Sequence, residues 1–142
     1  MRVLADTSVL VPGLIEAHPH HGRAAPTLDQ AAGSEVDLVV AAHALAETYA
    51  TLTALRPRLT PTAVLRLVQE GALQFAEVVP LGADDYRAVL ERMAALDLVS
   101  GAVYDGLHVR AAEKAVADEL RTFNDRDFRR MPPEPPCRLV VL

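Results

Sequence analysis

Short apolar runs and helically spaced apolar positions alternate along the chain. Val3-Leu4-Ala5, set between Arg2 and Asp6, suits a buried strand, which predicts a first strand over Arg2 to Ala5. Thr7 to Leu14 begins a helix. A polar connection holding Pro12, Gly13, Pro19, Gly22 and Pro26 then overlaps a helix-like stretch that reaches Ala32. Val36 to Val40 is rich in β-branched residues and follows Gly33-Ser34, which predicts the second strand. Ala42 to Leu55 reads as a helix ended by Arg56-Pro57, because the residue before a proline avoids helical backbone. Thr60-Pro61-Thr62 opens another helix, with proline at a tolerated first-turn position, and Gly71 is expected to close it.

Phe75 to Val79 is predicted as the third strand. Asp84 to Ala95 follows as a helix with Tyr86, Val89, Leu90 and Met93 at helical spacing, and Ala102 to Val116 as the next, introduced by Ser100-Gly101. A strand over Glu119 to Phe123, a helical turn over Asp125 to Met131 and a last strand over Arg138 to Leu142 complete the pattern. Apolar strands separated by helices imply an α/β fold, with a central, mostly parallel sheet of four or five strands and helices on both faces. With 142 residues, no internal repeat and no long linker, one domain spanning 1–142 is expected.

Apolar residues make up 51% of the chain and charged residues 23%, a globular balance that excludes disorder as a description of the whole. Leu38 to Leu55 is the longest apolar-rich stretch. It carries His43, Glu47 and several threonines, so it reads as buried helix and not as a membrane span. No long apolar block follows Arg2, so a secretion signal is not expected. The single cysteine, Cys137, excludes an intramolecular disulfide and a cysteine-rich zinc site, and reads as an ordinary thiol in a reducing cytoplasm. His18, His20 and His21 lie in a Pro/Gly-containing connection without complementary ligand spacing, and read as a mobile surface segment. The formal net charge of -5 argues against holding nucleic acid by bulk positive charge.

Three acids stand out by their surroundings. Asp6 directly follows the first strand, and the carboxyl ends of strands line the ligand crevice of an open α/β sheet. It is equally suited to capping the next helix. Glu47 is the only formally charged side chain between Asp37 and Arg56. A carboxylate in such a setting needs a cation or a hydrogen-bonding partner, unless it is a boundary residue whose head reaches water. Asp105 lies near the start of a helix in an otherwise uncharged stretch from Leu98 to Val109, where the helix dipole alone would favour it. A strand end and two helix starts can converge on one crevice. Clustered carboxylates repel, so such a crevice suits hard cations such as Mg²⁺ or Mn²⁺.

Four segments resemble the PIN-domain family, and within it the VapC-type toxins of bacterial toxin–antitoxin pairs. They are Val3-Leu4-Ala5-Asp6-Thr7-Ser8-Val9-Leu10, Ala44-Leu45-Ala46-Glu47-Thr48-Tyr49, Tyr104-Asp105-Gly106-Leu107-His108-Val109-Arg110-Ala111-Ala112 and Leu120-Arg121-Thr122-Phe123-Asn124-Asp125-Arg126-Asp127-Phe128. They occur in the family's order and span almost the whole chain. The resemblance implies a PIN-like fold, cleavage of RNA with Mg²⁺ or Mn²⁺, a cognate antitoxin and a homodimer. It implies metal binding by Asp6, Glu47 and Asp105, with Asp127 as the fourth acid. Asn124 stands where many relatives carry an acid, and Asp125 is a nearby substitute. Ser8 and Thr122 are implied to position the carboxylates. Arg121, Arg126, Arg129 and Arg130 cluster after the last motif and are candidates for phosphate contact, or for a solvated helix face.

Other readings fit less well. A haloacid-dehalogenase phosphatase needs a second acid where this chain has Ser8. A receiver domain needs an acid pair after the first strand and a lysine near the last, and the only lysine is Lys114. A PIN-like scaffold without activity is the main non-enzyme alternative, which Asn124 leaves open. A housekeeping nuclease without antitoxin is the other. The apolar helices between Ala41 and Gly71 are expected to expose leucine and valine to a partner.

Overall fold

The computed structural model describes residues 1–142. Five strands form one sheet: β1 (Arg2–Ala5), β2 (Asp37–Ala41), β3 (Ala76–Val79), β4 (Glu119–Thr122) and β5 (Arg138–Val141). The order is β3-β2-β1-β4-β5, and every pairing is parallel. Val3, Leu4 and Ala5, like Leu38 to Ala41, are fully or almost fully buried, as strands covered on both faces must be.

The helices are α1 (Thr7–Leu14), α2 (His21–Ala32), α3 (Ala42–Ala54), α4 (Pro61–Val68), α5 (Ala83–Ala95), α6 (Ala102–Lys114) and α7 (Asp125–Arg130). From β1 the chain moves outward to β2 and β3, then returns past β1 to β4 and β5. Parallel crossovers are right-handed, so this reversal puts α5 and α6 on the face opposite α1 to α4. The change of direction lies between β1 and β4, where neighbouring strand ends leave a crevice.

The expected elements are present, with boundaries moved by one or two residues except in two places. Thr60 caps α4, its hydroxyl accepting from the Ala63 N–H at 3.2 Å, with Pro61 in the first turn as expected. Gly71, however, does not end the helix, which widens into a π-turn over Gln69–Leu73. A Cβ on Gly71 would lie 2.4 Å from Leu14 Cδ2, so glycine serves close approach to α1 and not termination. The other place is the end of α6, where the backbone turns left-handed at Val116 (φ 52°) before β4.

The main core joins the sheet to α1, α2 and α6. A smaller one gathers Val11, Leu52, Val64 and Val68 from α1, α3 and α4. That second core uses much of the leucine and valine expected to face a partner. In this region Leu65 (52% exposed) and Tyr49 (44%) remain outside.

Candidate active site

The β1–β4 ladder runs one bond past the strand, with the Asp6 N–H donating to the Arg121 carbonyl at 3.2 Å. This places Asp6 at the sheet's carboxyl edge with only 3% of its surface exposed. Its Oδ1 accepts from the Ser8 hydroxyl (2.7 Å) and the Val9 N–H (3.1 Å), and its Oδ2 from the Thr122 hydroxyl (2.7 Å). Both expectations for Asp6 therefore hold geometrically: it caps α1 and sits at the strand end. Ser8 and Thr122 also accept, from the Phe123 N–H (2.8 Å) and the Asn124 N–H (2.9 Å). The hydroxyls thus tie the loop after β4 to the aspartate. Burial pushes the Asp6 carboxyl above its ordinary range, against the pull of His108 and these hydrogen bonds.

An open cleft of 420 Å³ lies over this point. Asp6, Ser8, Glu47, Asp105 and Asn124 line it together with Thr7 and His108. Asp105 comes from the first turn of α6. Burial, reinforced by the charges of Asp127 and Asp6, pushes its pKa up to about 6, while His108 and Asn124 oppose the shift. Asn124 Nδ2 donates to Asp105 Oδ2 (3.3 Å) and to Asp127 Oδ2 (3.0 Å), so one amide bridges the two acids. Asp125 instead pairs with Arg129 on the outer side of α7.

Glu47 has the hydrogen-bonding partners that its sequence surroundings call for. Its Oε1 accepts from the Thr7 hydroxyl (3.1 Å) and lies 3.1 Å from His108 Nε2 and 3.3 Å from His43 Nε2. Burial works against its ionisation, but the His108 contact, with His43 and Thr7, outweighs this and holds its pKa below the usual value. Burial first, and the neighbouring His108 second, push the His43 pKa down to about 4, so this imidazole is neutral at pH 7.

Two expectations require correction. Arg121 is not free to meet phosphate: it pairs with Glu119 (3.1 Å) and donates to Thr27 (3.2 Å) and Gln30 (2.9 Å), with 12% of its side chain exposed. A strand residue facing neighbouring elements is claimed by them, whereas Arg126, Arg129 and Arg130 on α7 remain exposed. The histidine connection is also not a detached surface segment. His18 and His20 line the cleft, and His20 stacks on Phe123 with ring centroids 5.0 Å apart. Arg23 lies over the other part of this wall, 5.1 Å from the Phe123 ring centre.

Sequence reasoning passed over His43, His108 and Thr7. The His43-x-x-x-Glu47 spacing, one helical turn, was the available signal for the first. The other two meet Glu47 only through the fold. The oxygen donors of Asp6, Glu47, Asp105 and Asp127 suit hard divalent cations.

The PIN-domain family profile matches residues 3–133. The chain is 36% identical over 129 residues to ribonuclease VapC40 of Mycobacterium tuberculosis, covering 89% of this chain and 87% of that protein. It is 35% identical over 126 residues to ribonuclease VapC27 of the same species, covering 87% and 83%. In fold it is similar to VapBC2 from Rickettsia felis bound to a promoter DNA fragment, with a TM-score of 0.70, 17% identity and coverage of 100% of this chain and 99% of that one. FitAcB from Neisseria gonorrhoeae gives a TM-score of 0.67 at 16% identity, covering 96% and 95%.

Proposed function

The chain belongs to the PIN-domain family, and from that premise we propose that it is an endoribonuclease dependent on Mg²⁺ or Mn²⁺. Residues 1–142 act as one nuclease domain, the toxin of a VapBC-type pair, with a cognate antitoxin and a homodimeric state in the cytoplasm. The observation that carries this reading is the convergence of Asp6, Glu47 and Asp105 on one cleft, with Asp127 tied to Asp105 through the Asn124 amide. The ribonuclease names of VapC40 and VapC27 support the substrate, and the VapBC2 and FitAcB structures support the antitoxin.

Asp6, Glu47, Asp105 and Asp127 would hold the cations, which supply an activated water and stabilise charge on the departing oxygen of a phosphodiester. Ser8 and Thr122 fix both Asp6 oxygens, so this carboxylate needs no reorientation on loading. Asn124 keeps Asp105 and Asp127 at a common amide. His108 and Thr7 hold Glu47 by Oε1, leaving Oε2 for a cation. The His20–Phe123–Arg23 wall suits an unstacked base, because single-stranded RNA is read by stacking on aromatic and guanidinium planes. Arg126, Arg129 and Arg130 offer phosphate contacts despite the net charge of -5.

Purified protein freed of partner should cut RNA with Mg²⁺ or Mn²⁺ and stop when the metal is chelated. Asp6→Asn or Asp105→Asn should abolish cutting with an unchanged circular dichroism spectrum. Cleavage by Asp105→Asn at the parent rate would show the site assignment to be wrong. An adjacent reading frame for a small DNA-binding protein is expected, and its absence would argue for a housekeeping nuclease instead.

A further inference from the structure

His43 and Glu47 occupy successive turns of α3, and α6 brings His108 against both. Their ligand atoms all lie within 4.8 Å of one another, with Glu47 Oε1 at 3.1 Å from His108 Nε2 and 3.3 Å from His43 Nε2. Bonds of about 2.1 Å at tetrahedral angles would set donors about 3.4 Å apart, so little movement is needed to surround one small ion. The side chains are 11% and 3% exposed for His43 and His108, and the ring centroids stand 4.3 Å apart.

If the imidazoles served only to orient Glu47, the nitrogens facing it should both be satisfied. They are not. His43 Nε2, the nitrogen that faces Glu47 Oε1, is buried without a hydrogen-bond partner. Such an idle nitrogen is costly in a protein interior and calls for an explanation. His43 Nε2 is close to Glu47 Oε1 yet misaligned for a hydrogen bond. Donors converging on a shared ion behave this way, since each points at the ion and not at its neighbour.

We propose that His43, Glu47 and His108 form a second cation site, selective for an imidazole-preferring divalent metal such as Zn²⁺, beside the all-oxygen acid cluster. Two imidazoles and one carboxylate match the three-protein-ligand pattern of open zinc sites, whereas Mg²⁺ takes oxygen ligands. Glu47 belongs to both sites, so the two kinds of cation compete for it; that consequence rests on the nuclease reading, while binding itself does not.

The test uses the full chain stripped of metal by a chelator, with Zn²⁺ titrated by calorimetry and Co²⁺ by visible absorption. One equivalent of Zn²⁺ should bind, and Co²⁺ should give the intense bands of a four- or five-coordinate site with nitrogen donors. His43→Gln and His108→Gln should each weaken Zn²⁺ binding about 100-fold or more, beyond the usual cost of losing an outer partner. Asp105→Asn should keep both the Zn²⁺ affinity and the Co²⁺ spectrum. Circular dichroism identifies any variant that fails to fold, and His43→Gln, the less enclosed of the two, keeps the test decisive. Loss of binding in Asp105→Asn with retention in His43→Gln would overturn the proposal, as would absence of a stoichiometric Zn²⁺ site in the parent. A protein that binds Zn²⁺ as described but does not cut RNA would sink the nuclease reading alone.

Discussion

Asp105 and Glu47 sit in the same cleft and are pushed in opposite directions. Glu47 gains hydrogen-bonding neighbours, while Asp105 gains mainly burial and other carboxylates. A carboxyl whose folded pKa is raised from 3.8 to about 6 holds its proton more tightly in the folded state. Its contribution to stability is therefore full below about pH 4 and is lost as pH rises through about 6. At neutral pH without metal, Asp105→Asn should raise the melting temperature by a few degrees. Mg²⁺ should stabilise the parent more than the variant, and thermal scans in chelator and in excess Mg²⁺ check both. A lower melting point for the variant in chelator would mean that Asp105 is already compensated. Asp6, Glu47 and Asp105 stood out in the sequence because charge amid apolar residues is conspicuous, and the structure brings these three acids to one cleft. His43 and His108 did not, since an imidazole carries no obligatory charge and the two histidines meet only where α3 packs against α6.

At the scale of the element, α6 supplies Asp105 and His108 and packs closely at Gly106, between them in sequence. A Cβ on Gly106 would lie 2.6 Å from Met131 Cε and 2.9 Å from Val89 Cγ1. The helix ends in a Schellman turn, with the Ala117 N–H donating to the Ala112 carbonyl (2.9 Å) and the Val116 N–H to the Glu113 carbonyl (3.0 Å). The left-handed position of that turn holds Val116, 68% exposed at φ 52°. Valine is poorly suited to this backbone and loses little contact by removal, so Val116→Gly should stabilise by about 1 kcal/mol. Urea unfolding measures this, and a destabilised variant would show that Val116 contributes packing after all. The strands were legible because both-face burial demands continuous apolar runs. The role of Gly71 was not, because the Leu14 side chain that approaches it belongs to a distant helix.

For the molecule as a whole, the layer made by α5 and α6 is held together by a carboxylate clamp. Asp85 on α5 accepts from Lys114 (2.7 Å) and Arg110 (2.9 Å) of α6 and from the Gly82 N–H (2.9 Å), while Lys114 also donates to the Pro80 carbonyl (2.9 Å). The Lys114 and Gly82 hydrogen bonds lead in holding the Asp85 pKa down, to about 2. A depressed carboxyl stabilises fully above its unfolded pKa of about 4, and the contribution fades as pH falls through about 2. Asp85→Asn should cost about 2 kcal/mol at pH 7 and little at pH 2, as judged by urea midpoints at both. An equal loss at both pH values would assign the effect to packing. The parallel sheet followed from the strand–helix alternation, but the loss of Arg121 to Glu119, Thr27 and Gln30 could not, since the fold alone assembles those partners. The same strand order has a consequence in time. Asp6 is held by Thr122, 116 positions later in the chain. At ordinary rates of synthesis the ribosome adds those residues over roughly ten seconds, during which the nascent chain has its first acid but not the hydroxyl that fixes it. The pinned form of the first acid is thus reached only when translation is nearly complete.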